Sequence, residues 1–163
     1  MAQMFYMRIN GKKVGRISDG VCKQPNRADT IPCVALEQEI TKAHGPTNYE
    51  VTGTAVHRPL KITKEFDKSS PQLYQALYDG DTLEVKLEFY KNDGAGNQSI
   101  YFTIEMFEAV IVGIKPVVPR VDDPQSANSE DLEEISFVYK KITYTNTREG
   151  TAYTYDWRNP ATS

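Results

Sequence analysis

One stretch, Arg58 to Gly80, limits what this chain can become, because it carries the clearest helix in a sequence otherwise written for strands. Leu60 and Ile62 alternate with Lys61 and Thr63, the period of two that marks a strand. Asp67, Lys68, Ser69 and Ser70 follow, then Pro71. Serine before proline starts a helix: a hydroxyl caps a free backbone N–H, and proline suits the first helical position. Leu73, Ala76 and Leu77 then share one helical face, and Gly80 supplies the left-handed residue on which helices commonly end. A lone short helix among strands is expected to cover the open end or side of a barrel.

Strand signals fill the rest. Phe5, Met7 and Ile9 alternate with Tyr6 and Arg8, and Asn10-Gly11 ends that strand. Residues 11 to 30, with Gly11, Gly15, Gly20 and Pro25, read as loop. Ile31 to Lys42 suggests a second strand, although ALEQEITKA also fits a helical turn. After the helix, Leu83, Val85, Leu87 and Phe89 alternate with Glu84, Lys86, Glu88 and Tyr90, which predicts a half-buried strand with one wet face. A turn over Asn92 to Asn97 leads to Ile100, Phe102, Ile104 and Met106 in the same alternation. The phase breaks at Phe107-Glu108-Ala109, which predicts a bulge or bend near Glu108. Pro116 to Asp131, with three prolines, reads as a loop or ragged edge. Strands are expected again over Ile135 to Tyr144 and Thr151 to Trp157, the latter with Tyr153, Tyr155 and Trp157 on one face. The last residues, Asn159 to Ser163, read as a tail.

His44 to His57 has two readings. Gly45-Pro46 and Gly53 punctuate it, yet Tyr49, Val51, Thr54 and Val56 are strand formers. It is either an ordinary hairpin or a projecting extended loop that pairs with a neighbouring subunit, since exposed strand edges are usually covered by something.

The whole length, residues 1–163, suits one domain. A net charge of −3 gives no electrostatic case for nucleic acid or an acidic membrane, and no apolar run approaches the roughly 20 residues a bilayer span needs. The start, MAQMFYMRIN, lacks a charged region followed by an apolar one, so export, if it occurs, is expected to use no secretory signal. Cys22 and Cys33 make no disulfide framework and read as reduced cytoplasmic thiols.

Catalytic and metal-binding patterns are weak. Cys22, Cys33, His44 and His57 match no structural zinc spacing, and nothing selects a base for either thiol, so neither metal, cofactor nor catalytic residue is assigned. Glu84, Glu88 and Glu105 stand on neighbouring strands where a glycosidase pair is geometrically possible; the same charges fit a solvated sheet face with Lys86 across from them. Asn92 to Asn97 lacks the lysine and helix of a phosphate loop. Tyr153, Tyr155 and Trp157 suit sugar stacking, or core and interface packing. The alternative function these residues leave open is a monomeric β-sandwich carbohydrate-binding module or glycosidase.

Taken together, Arg58-Pro59-Leu60, Ile62-Thr63-Lys64, Asp67-Lys68-Ser69-Ser70-Pro71, Leu73, Ala76-Leu77 and Gly80 resemble the signature of the haemolysin-coregulated protein (Hcp) family, the tube subunits of the bacterial type VI secretion system. Ile135-Ser136-Phe137, Tyr139, Ile142 and Tyr155-Asp156-Trp157 are similar to a second part of that family, and MAQMFYMRINGKKVG is similar to its opening strand. The resemblance implies a mainly β fold: a closed β-barrel of two sheets with one flanking α-helix, like phage tail-tube proteins. It implies no catalysis. It implies hexameric rings that stack into a tube, expelled by a contractile sheath with a spike protein at its tip, and effector proteins carried in the lumen. It implies assembly in the bacterial cytoplasm, followed by secretion without a signal peptide. By the same resemblance, the extended loop used in subunit and ring contacts maps to Gly45, Pro46, Thr47, Asn48, Tyr49, Glu50, Val51, Thr52, Gly53, Thr54, Ala55 and Val56. Main-chain pairing along such a loop tolerates varied side chains.

Overall fold

The computed structural model describes residues 5–25, 27–46, 51–126 and 130–158. The chain is mainly β. Among the described residues its strands are β1 (Phe5–Gly11), β2 (Gly15–Arg16), β3 (Ile31–Cys33), β4 (Ala35–Glu37), β5 (Ile40–His44), β6 (Val51–His57), β7 (Leu60–Glu65), β8 (Leu83–Asn92), β9 (Gln98–Val117), β10 (Leu132–Val138), β11 (Lys141–Asn146) and β12 (Thr151–Asp156), with one α-helix, α1 (Ser70–Asp79). All the strand pairings are antiparallel. The main path runs β2-β1-β8-β9-β10-β7-β4, with β3 added on β1, β11 on β9 and β12 on β11. The β5–β6 hairpin forms a separate two-stranded sheet.

The 20-residue strand β9 organises this arrangement. Its first half pairs with β8 and β11, and its second half with β10. Between the halves the β8 register shifts, with Leu83 opposite Ala109 but Val85 opposite Met106. Glu108 sits in that shift with φ 51°, a left-handed conformation that non-glycine residues seldom adopt. The bend expected at the broken alternation is therefore present, as a bulge.

The core gathers the inward residues of these strands. Met7 and Ile9 of β1, Leu83 and Leu87 of β8, Met106 of β9, Leu60 and Ile62 of β7, and Ile135 and Phe137 of β10 are fully buried. Leu73 and Ala76 of α1 join them, and Leu77 packs against the same cluster from its margin. Gly80 ends the helix at φ 62°.

Several expectations are corrected. The segment from Ile31 to Lys42 is three short strands rather than one: β3 ladders to β1, β4 to β7, and β5 to β6. Its residues serve three neighbours in turn, so no single alternation runs through it. The Pro116–Asp131 loop begins later, because β9 continues through Pro116 to Val117. Past Ala109 that strand has one ladder neighbour, β10, so its other edge requires no donor and proline is tolerated.

The outer face of β8 is not wet throughout. Glu88 and Tyr90 are buried. Arg8 on β1 pairs with Glu88 and donates to the Ala28 carbonyl at 3.1 Å. Arg27 lies over the rings of Tyr6 and Tyr90, 4.7 and 4.4 Å from their centroids. The loop after β2 thus covers that half of the sheet: its Arg27 supplies the cation–π contacts, while Arg8 of β1 supplies the charge complement to Glu88. Finally, Ser69 stands at the N-cap without a side-chain cap bond. Its hydroxyl is engaged by Asp67 and that of Ser70 by Glu133.

Candidate functional site: a buried strand–helix block and a projecting hairpin

The block from Thr63 to Pro71 is held by a buried ionic network. Lys64 and Glu133 are fully buried, and Lys64 Nζ meets Glu133 Oε1 at 2.5 Å, Asp67 Oδ1 at 3.0 Å and the Glu65 carbonyl at 2.8 Å. Ser70 Oγ donates to Glu133 at 2.7 Å and accepts from the Asp67 N–H at 3.1 Å. Ser69 gives both its N–H and its hydroxyl to the Asp67 carboxylate. The serines therefore fix the turn before the helix rather than capping its first N–H groups. A buried lysine needs this many partners, because an unpaired charge in a low-dielectric interior costs several kcal/mol. The network ties the end of β7, the start of α1 and strand β10 into one unit. Cys33 is buried beside it; burial pushes its thiol pKa up, which makes it an inert packing residue.

The other signature residues take lesser roles. Thr63 pairs with Ala35 on one side and Glu134 on the other, and its carbonyl accepts the Val34 N–H at 2.9 Å. Pro71 occupies the first helical turn. Lys68 and Pro59 are exposed, and exposed Arg58 reaches Glu39 at 3.3 Å.

The hairpin has the opposite character. Every residue of β5 is exposed. Ile40, Val51 and Val56 stand 42, 61 and 57% exposed, which makes the hairpin an apolar projection rather than a core element. Of the two readings of His44 to His57, the hairpin pairing is observed: Ile40 opposes His57 and His44 opposes Val51. Gly45 and Pro46 lead into the tip, and Gly53 has φ 84° near a register shift between Thr41 and Ala43. Thr47, Asn48, Tyr49 and Glu50 lie outside the described residues. Between the hairpin and β11–β12 lies a groove of about 290 Å³, walled by Ala55 and His57 on one side and Tyr144, Tyr153 and Tyr155 on the other.

The residues considered for sugar chemistry are not brought together. Glu88 is tied to Arg8. Glu105 faces Lys86 across the ladder at 3.7 Å, as the solvated-face reading expects, and Glu84 is exposed. Tyr153 and Trp157 are half exposed, whereas Tyr155 packs on the core and on His57. Among the described residues no three His, Cys, Asp or Glu side chains converge as metal ligands would. Sequence reasoning missed Glu133 and Gln38, the residues that anchor the block and the hairpin. Their partners are remote in the chain, and neither lies in a motif.

Comparison with known proteins agrees with this arrangement. A family model described as "Type VI secretion system effector, Hcp" matches residues 6–145. The chain is 36% identical over 169 residues to the "Major exported protein" of Pseudomonas aeruginosa strain PAO1, covering 98% of each chain. It is similar to a crystal structure of an Hcp protein, with a TM-score of 0.89 and 25% identity over 96% of this chain and 99% of that one. It is also similar to the secreted protein Hcp3 from Pseudomonas aeruginosa, with a TM-score of 0.77 and 32% identity over 95% and 98% of the two chains. The chain belongs to the Hcp family of the type VI secretion system.

Proposed function

We propose that this chain is a structural subunit of the type VI inner tube, one domain over its whole length, forming hexameric rings that stack around an open lumen. The observation that carries this reading is the β5–β6 hairpin. A two-stranded sheet on its own is marginal in water, and this one displays Ile40, Val51 and Val56 to solvent. Copies of the same chain are the partners that would cover it, through the segment Gly45 to Val56. Cyclic closure of such head-to-tail contacts gives a ring, and repetition along the axis gives a filament.

The barrel expected of the fold belongs to the same proposal. β3 and β4 are consecutive, and they ladder to β1 and β7, the outer strands of the two halves joined by β9. The bond from the Val34 N–H to the Thr63 carbonyl supports a closure in which residues 31 to 37 would join the two sheets into a barrel. Such a subunit performs no catalysis. Its partners are its own copies, a spike protein, a contractile sheath and effectors held in the lumen. It assembles in the cytoplasm and is then exported; the name of its Pseudomonas relative, "Major exported protein", supports export.

Negative-stain imaging of the purified chain tests the proposal. Rings are the expected result, and a variant lacking residues 47–51 should remain folded while forming fewer of them. Small featureless particles at every concentration would overturn the tube reading. Undiminished rings in the deletion variant would overturn the role of the hairpin tip.

A further inference from the structure

Both ends of the β5–β6 hairpin are tied to one phenol. Gln38, two residues before β5, gives its side-chain N–H to Tyr139 Oη at 2.8 Å and to Tyr144 Oη at 3.1 Å. His57, the last residue of β6, brings Nδ1 within 2.6 Å of the same Tyr139 Oη. Its ring stacks on Tyr155, with centroids 4.7 Å apart and planes 28° apart, and meets Tyr139 edge-on at 5.4 Å. The other ring nitrogen, Nε2, is buried without a hydrogen-bond partner, the one such side-chain atom among the described residues.

We propose that this imidazole–phenol contact is an acid-released clamp: neutral His57 holds the hairpin against β11 and β12, and protonated His57 lets it go.

The hydrogen-bond inventory supports this. Burial pushes the Tyr139 hydroxyl pKa up, so the phenol keeps its proton. Its oxygen accepts from Gln38, and with the imidazole proton on Nε2 its own O–H donates to a bare Nδ1. In the other tautomer Nδ1–H donates to the remaining lone pair of Tyr139 and Nε2 is the buried atom without a partner, so in either tautomer the neutral ring keeps the Tyr139 contact. A second proton makes both ring nitrogens donors, so Nδ1 can no longer accept from Tyr139 and Nε2–H is a buried donor without a partner. It also creates a charge where little answers it. The groups facing the ring are the phenols Tyr139, Tyr144 and Tyr155, and Lys42 of β5 adds another cation to the same groove. Glu39, at the hairpin base, is engaged by Arg58. The face of Tyr155 attracts a cation but accepts nothing from Nε2–H.

The sign follows from linkage. Burial lowers the His57 pKa in the clamped state, whereas an opened hairpin exposes an ordinary histidine near 6.5. Clamping is thus at full strength above about pH 6.5 and weakens as pH falls below it, until the clamped-state value is passed. Resting on the tube reading, this makes contacts built from the hairpin sensitive to acid.

The test is amide hydrogen exchange on the full chain, diluted until sedimentation shows monomer, between about pH 5 and pH 7.5 with intrinsic rates divided out. Protection of β5 and β6 is expected to fall by up to about tenfold per pH unit below pH 6.5, while that of β8 stays level. Tyr139→Phe should show the low hairpin protection already at neutral pH. His57→Phe, which keeps a flat ring on Tyr155, should give a profile without slope. Unchanged β8 protection verifies the fold of each variant. A flat wild-type profile, or the same slope in His57→Phe, overturns the clamp. Ring sedimentation at both ends of the pH range separates the two ideas. A hairpin that opens in acid without loss of rings retains the clamp and removes the hairpin from assembly. Flat exchange with intact rings removes the clamp and leaves assembly standing.

Discussion

Lys64 shows what one residue does in this chain. Its ammonium has no contact with water and answers to Glu133, Asp67, Ser70 and the Glu65 carbonyl. Replacing it with methionine leaves Glu133 charged and buried without its cation. Lys64→Met is therefore expected to lose about 3–5 kcal/mol in urea denaturation, and adding Glu133→Leu should return much of that loss, because an apolar pair of similar volume often equals a buried ion pair. The sequence made the turn legible: Asp67, the two serines and Pro71 announce a strand running into a helix. The reason for Lys64 was not legible, because Glu133 is 69 residues away and nothing local links the two. The same limit applies to Glu88. Its place on an alternating strand suggested a wet face, and only the fold brings Arg8 to it. Gly11 is a residue-scale constraint of another kind. A Cβ there would come within 2.3 Å of Asp81 Oδ2, the carboxylate that accepts the Lys13 and Val14 N–H groups and so fixes the turn between β1 and β2.

At the scale of elements, alternation was the dependable signal. β1, β7, β8 and the first half of β9 follow the spacing of their apolar residues. The short strands β3, β4 and β5 read as a single stretch in the sequence, since three or five residues hold too little of a period to separate them. The bend in β9 was legible because it breaks a long pattern. It also yields a test. A β-branched residue is costly in the left-handed region, so Glu108→Val is expected to destabilise by about 1–2 kcal/mol, whereas Glu108→Gly should be tolerated despite losing the 3.2 Å contact with Arg158. Paired thermal melts of the two variants check this; equal losses would mean that the side chain, not the backbone, sets the cost.

For the whole molecule, the hairpin decides the outcome. Its punctuation by Gly45-Pro46 and Gly53 was visible in the sequence, and its pairing is now seen, whereas the surface proposed to receive it would lie on a second copy that no single chain spells out. If copies cover it, association stabilises the folded state by mass action, and the melting temperature should rise with protein concentration. Calorimetry over a hundredfold dilution is expected to show that rise for the intact chain and a smaller one for Val56→Lys, which charges an exposed apolar position. A melting temperature independent of concentration in both would separate folding from assembly.

β9 has one more consequence. Because a single unbroken backbone is laced into both halves of the subunit, the halves cannot be peeled apart without cutting covalent chain or shearing many ladder bonds at once. If the tube is expelled as proposed, each subunit meets sudden axial loads. In such a subunit this strand would work as a tendon, passing the jolt from one wall to the other.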